Sequence, residues 1–396
     1  MSNYRVRATI GLQLWTTYSA GMEVYDASTQ AYVRADNRLN TQLRRSRFIF
    51  TGQPYERLTF NLTAALDMVG HDLLDATEAA GNNGPSPIFR IWNLWLQYQL
   101  SQQTDRLYVL AGYFAPPIGR ESSTAALRSN SFEKAWSQNY IRRHLVGNGP
   151  GRAAGLLLAG QVHDLAEGVH LTYEGAVQNA LGQAYNGNST GLRASPLLTG
   201  RVSVHLGDIE NATYSLIHKV NFFDQREGVT ISLSGARQGE TANFGASSAI
   251  GAEVLYNTAG FHLDGDYHFL RRRVVDGDVT SRARTGYLRM GYNIDLPRSR
   301  VLEPVISYWF YRGPTVAQDI FRAQLTSSFT GSDVGLDIGA NLYFNPDFKL
   351  SLFYAYRHGD AGEGNPVTTN NNYFQQPGVG AIQRGSYVGA GWVVLF

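Results

Sequence analysis

The sequence predicts an all-β fold, a closed antiparallel transmembrane β-barrel of about sixteen strands. Three observations predict it. Apolar and polar residues alternate with a period of two in segments of about ten residues, and no helical period is sustained. Short and long connections alternate along the chain. Aromatic residues stand near the ends of the apolar faces, as in the interfacial girdles of outer-membrane barrels.

The alternation is clear from the first segment, where Val6, Ala8 and Ile10 share one face and Arg5 and Arg7 share the other. A tilted strand of about 9–11 residues crosses the hydrocarbon core of a bilayer, and the segments fit this length. The predicted strands cover residues 4–16, 39–52, 56–69, 89–101, 105–114, 152–163, 167–179, 199–207, 228–236, 248–257, 260–271, 283–294, 301–312, 332–345, 347–358 and 385–396.

The connections between these segments differ in length from one end of the predicted barrel to the other. Short turns such as Gln53-Pro54-Tyr55 connect consecutive strands at one end of the barrel, which is typical of the periplasmic side. The connection 208–227 is too long for a tight turn, and we expect an extra strand or a periplasmic excursion there. The long polar connections cover residues 17–38, 70–88, 115–151, 180–198, 313–331 and 359–384.

A soluble β-sandwich or propeller would show the same alternation, so other features must separate the two cases. The apolar faces are nearly free of charge in strand after strand, which favours lipid. An open sheet would leave unpaired backbone groups in hydrocarbon, so a spanning sheet must close on itself. We therefore expect residues 4–16 to pair with residues 385–396, and residues 1–396 to form a single barrel domain. Girdle positions are occupied by Tyr98, Tyr113, Tyr256, Tyr292, Tyr308 and Tyr354.

Composition excludes several classes of protein. The chain has no cysteine, which excludes a disulfide scaffold and a thiol nucleophile. Lys and Arg number 34 against 32 Asp and Glu, so no basic excess points to a nucleic-acid partner. No apolar run follows Met1–Arg5, and we expect a mature chain without its signal peptide.

Several segments carry recognisable motifs: Gly112–Glu121, Arg44–Arg47 followed by Phe48–Gly52, Phe132–Trp136, Gly151–Gly155 and Asn341–Pro346. These motifs resemble the phosphate-selective porins of Gram-negative outer membranes. The resemblance implies a sixteen-stranded porin in the bacterial outer membrane, usually a homotrimer, whose third loop folds inward to narrow the pore. Anion-selective members of that family carry dense arginine and lysine ladders, whereas this chain has three lysines.

Candidate pore-lining residues come from the first two strands and from the third loop. Arginines on neighbouring strands would form a positive stripe, since a guanidinium group suits phosphate and carboxylate oxygens. The alternative is that they pair with carboxylates and only stiffen the wall. Residues 115–151 are the candidate constriction because the loop is far longer than a hairpin connection. The predicted anion path comprises Arg5, Arg7, Arg45, Arg47, Arg120, Ser122, Ser123, Arg128 and Lys134.

We predict no catalytic residue, no cofactor and no metal site. His262 and His268 with the aspartates between them are too spread along one strand to converge on one ion. The predicted function is passive diffusion of small hydrophilic solutes, with a weak preference for anions such as phosphate. The alternative is a structural barrel whose outer loops dock a surface-layer or lipoprotein partner. Expected partners are outer-membrane lipid, the diffusing solutes and two further copies of the chain.

Overall fold

The computed structural model describes residues 5–72, 74–77, 88–147, 150–180, 195–363, 371–376 and 379–396. Its strands, in chain order, are β1 (Arg5–Ala20), β2 (Glu23–Asp26), β3 (Ala31–Arg34), β4 (Arg38–Tyr55), β5 (Leu58–Ala65), β6 (Arg90–Gln99), β7 (Tyr108–Phe114), β8 (Ala153–Ala166), β9 (Val169–Asn179), β10 (Leu197–Gly207), β11 (Gly228–Gln238), β12 (Ala246–Thr258), β13 (Phe261–Arg273), β14 (Thr280–Tyr292), β15 (Ile294–Leu296), β16 (Arg300–Arg312), β17 (Ser332–Asn345), β18 (Phe348–Asp360), β19 (Tyr373–Gln376), β20 (Gly380–Gln383) and β21 (Ser386–Leu395).

The main sheet is a closed antiparallel barrel of sixteen strands, in which β15 continues β14. Each predicted segment coincides with one barrel strand. The predicted closure is confirmed, because β1 pairs with β21 from Gly11 opposite Leu395 to Ala20 opposite Ser386. The other edge of β1 pairs with β4. The strands β2, β3, β19 and β20 form a separate small sheet built from the first and last long loops.

The barrel wall has an apolar outer face and a polar inner face. On β11, Ile231 and Leu233 are 52% and 66% exposed on the outside, whereas Ser232 and Ser234 are buried on the inside. Alternation of this kind places apolar side chains against lipid and polar ones in the lumen. The inner side chains are buried because loops fill much of the lumen. Within the described ranges, no helix combines the length and the apolar character needed to cross a membrane.

The described residues of the third loop, 115–147 and 150–152, hold two helices, α1 (Arg120–Ser123) and α2 (Ser137–Leu145), with a 3₁₀ turn at Ala126–Arg128 between them. A third helix, α3 (Ala317–Leu325), lies in the connection between β16 and β17. Most third-loop side chains are buried although the loop belongs to no strand. The loop is therefore folded inside the barrel.

The connection of residues 208–227 forms neither an extra strand nor an excursion away from the barrel. It turns inward from the short-turn end and reaches the third loop, where Thr124 and His218 form a parallel bridge. The His218 amide donates to the Ser123 carbonyl at 3.1 Å, and the Ala125 amide donates to the His218 carbonyl at 3.1 Å. Both ends of the barrel therefore contribute a segment to the lumen.

Candidate functional site

Aromatic contacts attach the third loop, which connects β7 to β8, to strands β1 and β16 of the barrel wall. Phe132 stacks on Trp15 of β1 with ring centroids 4.2 Å apart. Tyr140 stacks on Tyr311 of β16 at 3.7 Å. Such stacked pairs add to the free energy gained by burying the rings. They hold the loop across the lumen, as the family resemblance implied.

Two carboxylates of the third loop bind arginines of the wall. Glu121 is 3.1 Å from Arg289 of β14, which also binds Asp264 at 2.7 Å. Glu133 accepts from Arg44 Nε at 2.7 Å and forms an ion pair with Arg45. Burial opposes the charge on Glu133, but the two guanidinium groups outweigh it and lower the pKa of this carboxyl group to about 2. Glu133 therefore stays charged and anchors the loop.

A β-bulge in β4 determines which arginines of the Arg44–Arg47 motif enter the lumen. Leu14 of β1 lies opposite Leu43, and Gln13 lies opposite Arg45, so Arg44 is the extra residue. Arg44 and Arg45 consequently both turn inward, and both bind Glu133. Strict alternation assigns Arg44 to the lipid face, which is why sequence analysis missed it. No sequence signal marks the bulge, since a bulge is defined by the pairing with a partner strand.

The four predicted strand arginines lie at different levels of the lumen. Arg47 is opposite Gly11, whereas Arg7 is opposite Thr51, four residues nearer the short turns. Four residues of strand span roughly 13 Å. Arg47 forms an ion pair with Asp67. Arg5 is exposed near the end of β1. The register therefore does not place all four guanidinium groups side by side.

The predicted residues of the third loop have different surroundings. Arg120 is fully buried and binds both carboxylate oxygens of Glu210 at 3.0 Å, so it positions the 208–227 segment. Lys134 is buried and donates to the Thr124 carbonyl at 2.8 Å, and burial lowers the pKa of its ammonium group well below the usual range. Arg128 forms an ion pair with Asp347.

A cavity of about 490 Å³ lies between the third loop, the wall from β1 to β6 and the 208–227 segment. We call it the basic cavity. Ser122 and Ser123 line it, and the described lining residues include no Asp or Glu. Its basic side chains are Arg7, Arg47, Arg128, Arg152 and Lys219.

Trp92 gives the basic cavity an aromatic contact that sequence analysis missed. The guanidinium groups of Arg47 and Arg152 lie 4.4 Å and 4.2 Å from the centroid of its indole ring. Trp92 is the extra residue of a second bulge, because Thr63 is opposite Asn93 and Ala64 is opposite Ile91. The ring holds the two cations beside each other through cation–π attraction.

Elsewhere in the lumen, strand charges are paired locally. Arg201 binds Glu253 at 2.8 Å, and Arg357 binds Asp337 at 2.6 Å. The residues that sequence analysis weighed as a metal site are divided between partners. His262 contacts Glu303 at 2.7 Å, Asp264 binds Arg289, and His268 faces Asp266 at 3.7 Å. These pairs brace the wall.

Comparison with known proteins agrees with this architecture. The chain is similar in structure to an anion-selective porin from Comamonas acidovorans, with 13% identity, 100% of both chains covered and a TM-score of 0.57. It is also similar to OprB of Pseudomonas putida, with 9% identity, 99% of this chain and 94% of that one covered and a TM-score of 0.58. The outer membrane channel DcaP of Acinetobacter baumannii gives 12% identity, coverage of 99% and 97% and a TM-score of 0.54.

Sequence comparison places the chain in a family. No curated protein sequence matches it. The family profile described as phosphate-selective porin O and P, in contrast, matches residues 18–375. This match spans most of the barrel and includes the third loop. The chain therefore belongs to the phosphate-selective porin O and P family and is a bacterial outer-membrane porin for the passive diffusion of small hydrophilic solutes.

Proposed function

We propose that this porin passes anions in weak preference to cations, and that the basic cavity is the selective part of their path. The supporting observation is the charge of its lining, five basic side chains with no Asp or Glu among the described lining residues. Selectivity depends on local charge rather than on the total, which is only +2 for the chain. The near-neutral composition is therefore compatible with an anion path.

The chemistry of the lining suits small oxyanions such as phosphate and carboxylates. Guanidinium groups present paired donors to such oxygens, and the hydroxyl groups of Ser122 and Ser123 can replace part of the hydration shell. Burial and the neighbouring Arg142 and Arg47 lower the pKa of Arg152 well below the usual range. An entering anion relieves this repulsion between cations.

The same lining argues against a tight binding site. Arg47 is already bound to Asp67, and Arg128 is bound to Asp347. Arg7 and Lys219 are exposed, so salt screens their attraction for a solute. Anions consequently reside only briefly, which agrees with weak preference and rapid passage.

Two comparisons with known proteins also support the proposal. The similar Comamonas porin is described as anion-selective. The matching family is described as phosphate-selective. We also propose a homotrimer in outer-membrane lipid, the assembly that the family resemblance implies. A barrel that only docks a surface-layer or lipoprotein partner is not favoured by the family match.

The experiment that tests the proposal removes positive charges from side chains that form no ion pair with a buried carboxylate in the described part of the chain. Arg7 and Lys219 line the basic cavity, are exposed and form no ion pair within the described part of the chain. The double variant R7Q/K219Q is compared with the wild type in planar bilayers under a potassium chloride gradient. We expect its reversal potential to shift toward that of potassium while the channel still conducts.

Arg106→Gln is the matched control, because Arg106 is an exposed arginine in the turn before β7 and lies outside the basic cavity. Its reversal potential should equal that of the wild type. An R7Q/K219Q channel that conducts with an unchanged reversal potential would contradict the proposal.

A further inference from the structure

A second group of arginines lies on the outer face of the barrel, at the long-loop end. Arg271 on β13 is exposed between the buried, inward-facing Leu270 and Arg272. Arg282 and Arg284 on β14 and Arg312 on β16 are exposed on the same outer face. Together with Arg322 of α3 they line a cavity of about 920 Å³. We call these five residues the outer arginine cluster.

The strand register places like charges directly opposite each other in this cluster. Arg271 of β13 is paired with Arg282 of β14, and Arg284 of β14 is paired with Arg312 of β16. Like charges at directly opposite positions destabilise a sheet. Two such pairs on adjacent strands create a site whose repulsion a bound anion would relieve.

Carboxylates of the described residues do not neutralise the cluster. Asp278 and Asp319 also line the cavity. Only Arg322 forms an ion pair with a described carboxylate, that of Asp319 at 2.9 Å on the same helix. The four strand arginines have no carboxylate within 4 Å in the described structure. The cavity therefore keeps an excess of positive charge.

The position of the cluster relative to the apolar belt identifies the kind of ligand. Phe269, which is 56% exposed, precedes Arg271 on the outer face of β13, two residues nearer the membrane centre. Leu288 of β14 and Tyr308 of β16 are also exposed on that face, four residues nearer the short turns than Arg284 and Arg312. Two residues of strand span roughly 7 Å and four span roughly 13 Å, so the guanidinium groups lie beyond these apolar side chains, on the side of the long loops, as contact with a lipid headgroup requires.

The helix beside the cluster, α3, has an exposed apolar surface. Phe321 and Leu325 of α3 are 60% and 43% exposed and, being four residues apart, lie on one face of the helix. Asp319 and Arg322 of the same helix line the cavity. A polar anion alone would leave these apolar side chains uncovered, whereas an amphipathic lipid can contact both surfaces.

We propose that the outer arginine cluster binds the phosphorylated headgroup of a lipid in the outer leaflet. The long loops of an outer-membrane barrel face the cell exterior, so the cluster lies in that leaflet. Arginine binds phosphate oxygens through paired donors, and basic pockets on membrane proteins bind anionic headgroups. The two facing arginine pairs suit a headgroup with more than one phosphate monoester. This site is separate from the basic cavity of the lumen.

Native mass spectrometry of the detergent-solubilised porin tests the proposal with two defined lipids. Diphosphoryl lipid A and monophosphoryl lipid A differ by one phosphate monoester. We expect the wild type to bind the diphosphoryl form more tightly and R282Q/R284Q to bind it at least tenfold more weakly. Arg106→Gln/Arg298→Gln, which changes two exposed arginines in short turns, should bind like the wild type.

Further measurements distinguish headgroup binding from misfolding of the variant and from binding of free phosphate. Conductance and heat-dependent gel mobility equal to those of the wild type would show that the R282Q/R284Q barrel is folded. If that variant does not fold, R271Q/R312Q provides the same test. Competition by 1 mM inorganic phosphate would indicate a site for the free ion and overturn the proposal. Lipid binding that is equal in the wild type and in both variants would also overturn the proposal, whether or not the variants lose their oligomeric state.

Discussion

Arg120 and Glu210 form a two-pronged ion pair in the lumen, with each Nη atom of the arginine 3.0 Å from a carboxylate oxygen. Arg120 belongs to the third loop, which enters from the long-loop end of the barrel. Glu210 belongs to the 208–227 segment, which enters from the short-turn end. Both side chains are buried. The pair therefore joins two inward-folded segments that approach from opposite sides of the membrane.

Removing the carboxylate of this pair should release the 208–227 segment. Glu210→Gln leaves the Arg120 guanidinium buried without its counter-charge, a change that costs about 3–5 kcal/mol in buried pairs. We expect noisier single-channel currents and faster protease cleavage within the segment. Glu227→Gln is the control, because Glu227 is exposed in the same segment. Currents from the Glu210 variant that match the wild type would show that the pair does not restrain the segment.

The attachment of the third loop through Glu133 should depend on pH. The folded protein lowers the pKa of this carboxyl group from 4.5 to about 2, so its stabilising charge is fully present above pH 4.5. This contribution is lost as the pH falls through about 2. A shift of this size corresponds to about 3 kcal/mol. The free energy of unfolding of the wild type should exceed that of Glu133→Gln by a constant amount above pH 5. This difference should shrink between pH 4.5 and 2 in urea titrations, and a pH-independent difference would contradict the assignment.

Arg45 and Arg47 should contribute differently to ion selectivity although the sequence places them on the same face. Arg47 lines the basic cavity, and its removal also takes away the guanidinium group that forms an ion pair with Asp67. Arg45 binds Glu133, which Arg44 also binds. Arg47→Ala should therefore shift the reversal potential toward cations more than Arg45→Ala does. Equal shifts in the same salt gradient would show that the basic cavity does not control selectivity.

The sequence predicts the barrel better than it predicts the pore. The alternation of apolar and polar residues indicates that each strand has an apolar and a polar side. This pattern is sufficient to predict the sixteen strands and the closure of the barrel. A bulge shifts this phase by one residue, so Arg44 and Trp92 enter the lumen from positions that alternation assigns elsewhere. The inward path of the 208–227 segment depends on Arg120, about 90 residues earlier in the chain. Local patterns contain no information about such a distant partner.

Deleting the last strand should abolish insertion of the barrel. β21 pairs with β18 on one side and with β1 on the other, so a chain that ends at residue 384 has two open edges. Each unpaired backbone group in hydrocarbon costs several kcal/mol, and a row of them cannot be tolerated. The truncated chain should show no heat-dependent gel mobility and no conductance after refolding with lipid. Insertion of that chain would contradict the closure of the barrel through β21.

Arginine placed on the two faces of one strand should have unequal effects on stability. Leu62 of β5 lies between Phe50 and Leu94 in the register, and these neighbours are 42% and 51% exposed on the outer face. Thr63 faces inward and lines the basic cavity. Leu62→Arg should lower the free energy of unfolding by about 2–4 kcal/mol in bilayers, since an outward arginine must be carried into hydrocarbon. Thr63→Arg places its charge in the water-accessible cavity and should cost much less, as measured by urea titration. Equal penalties at the two positions would mean that the outer face of β5 does not contact lipid.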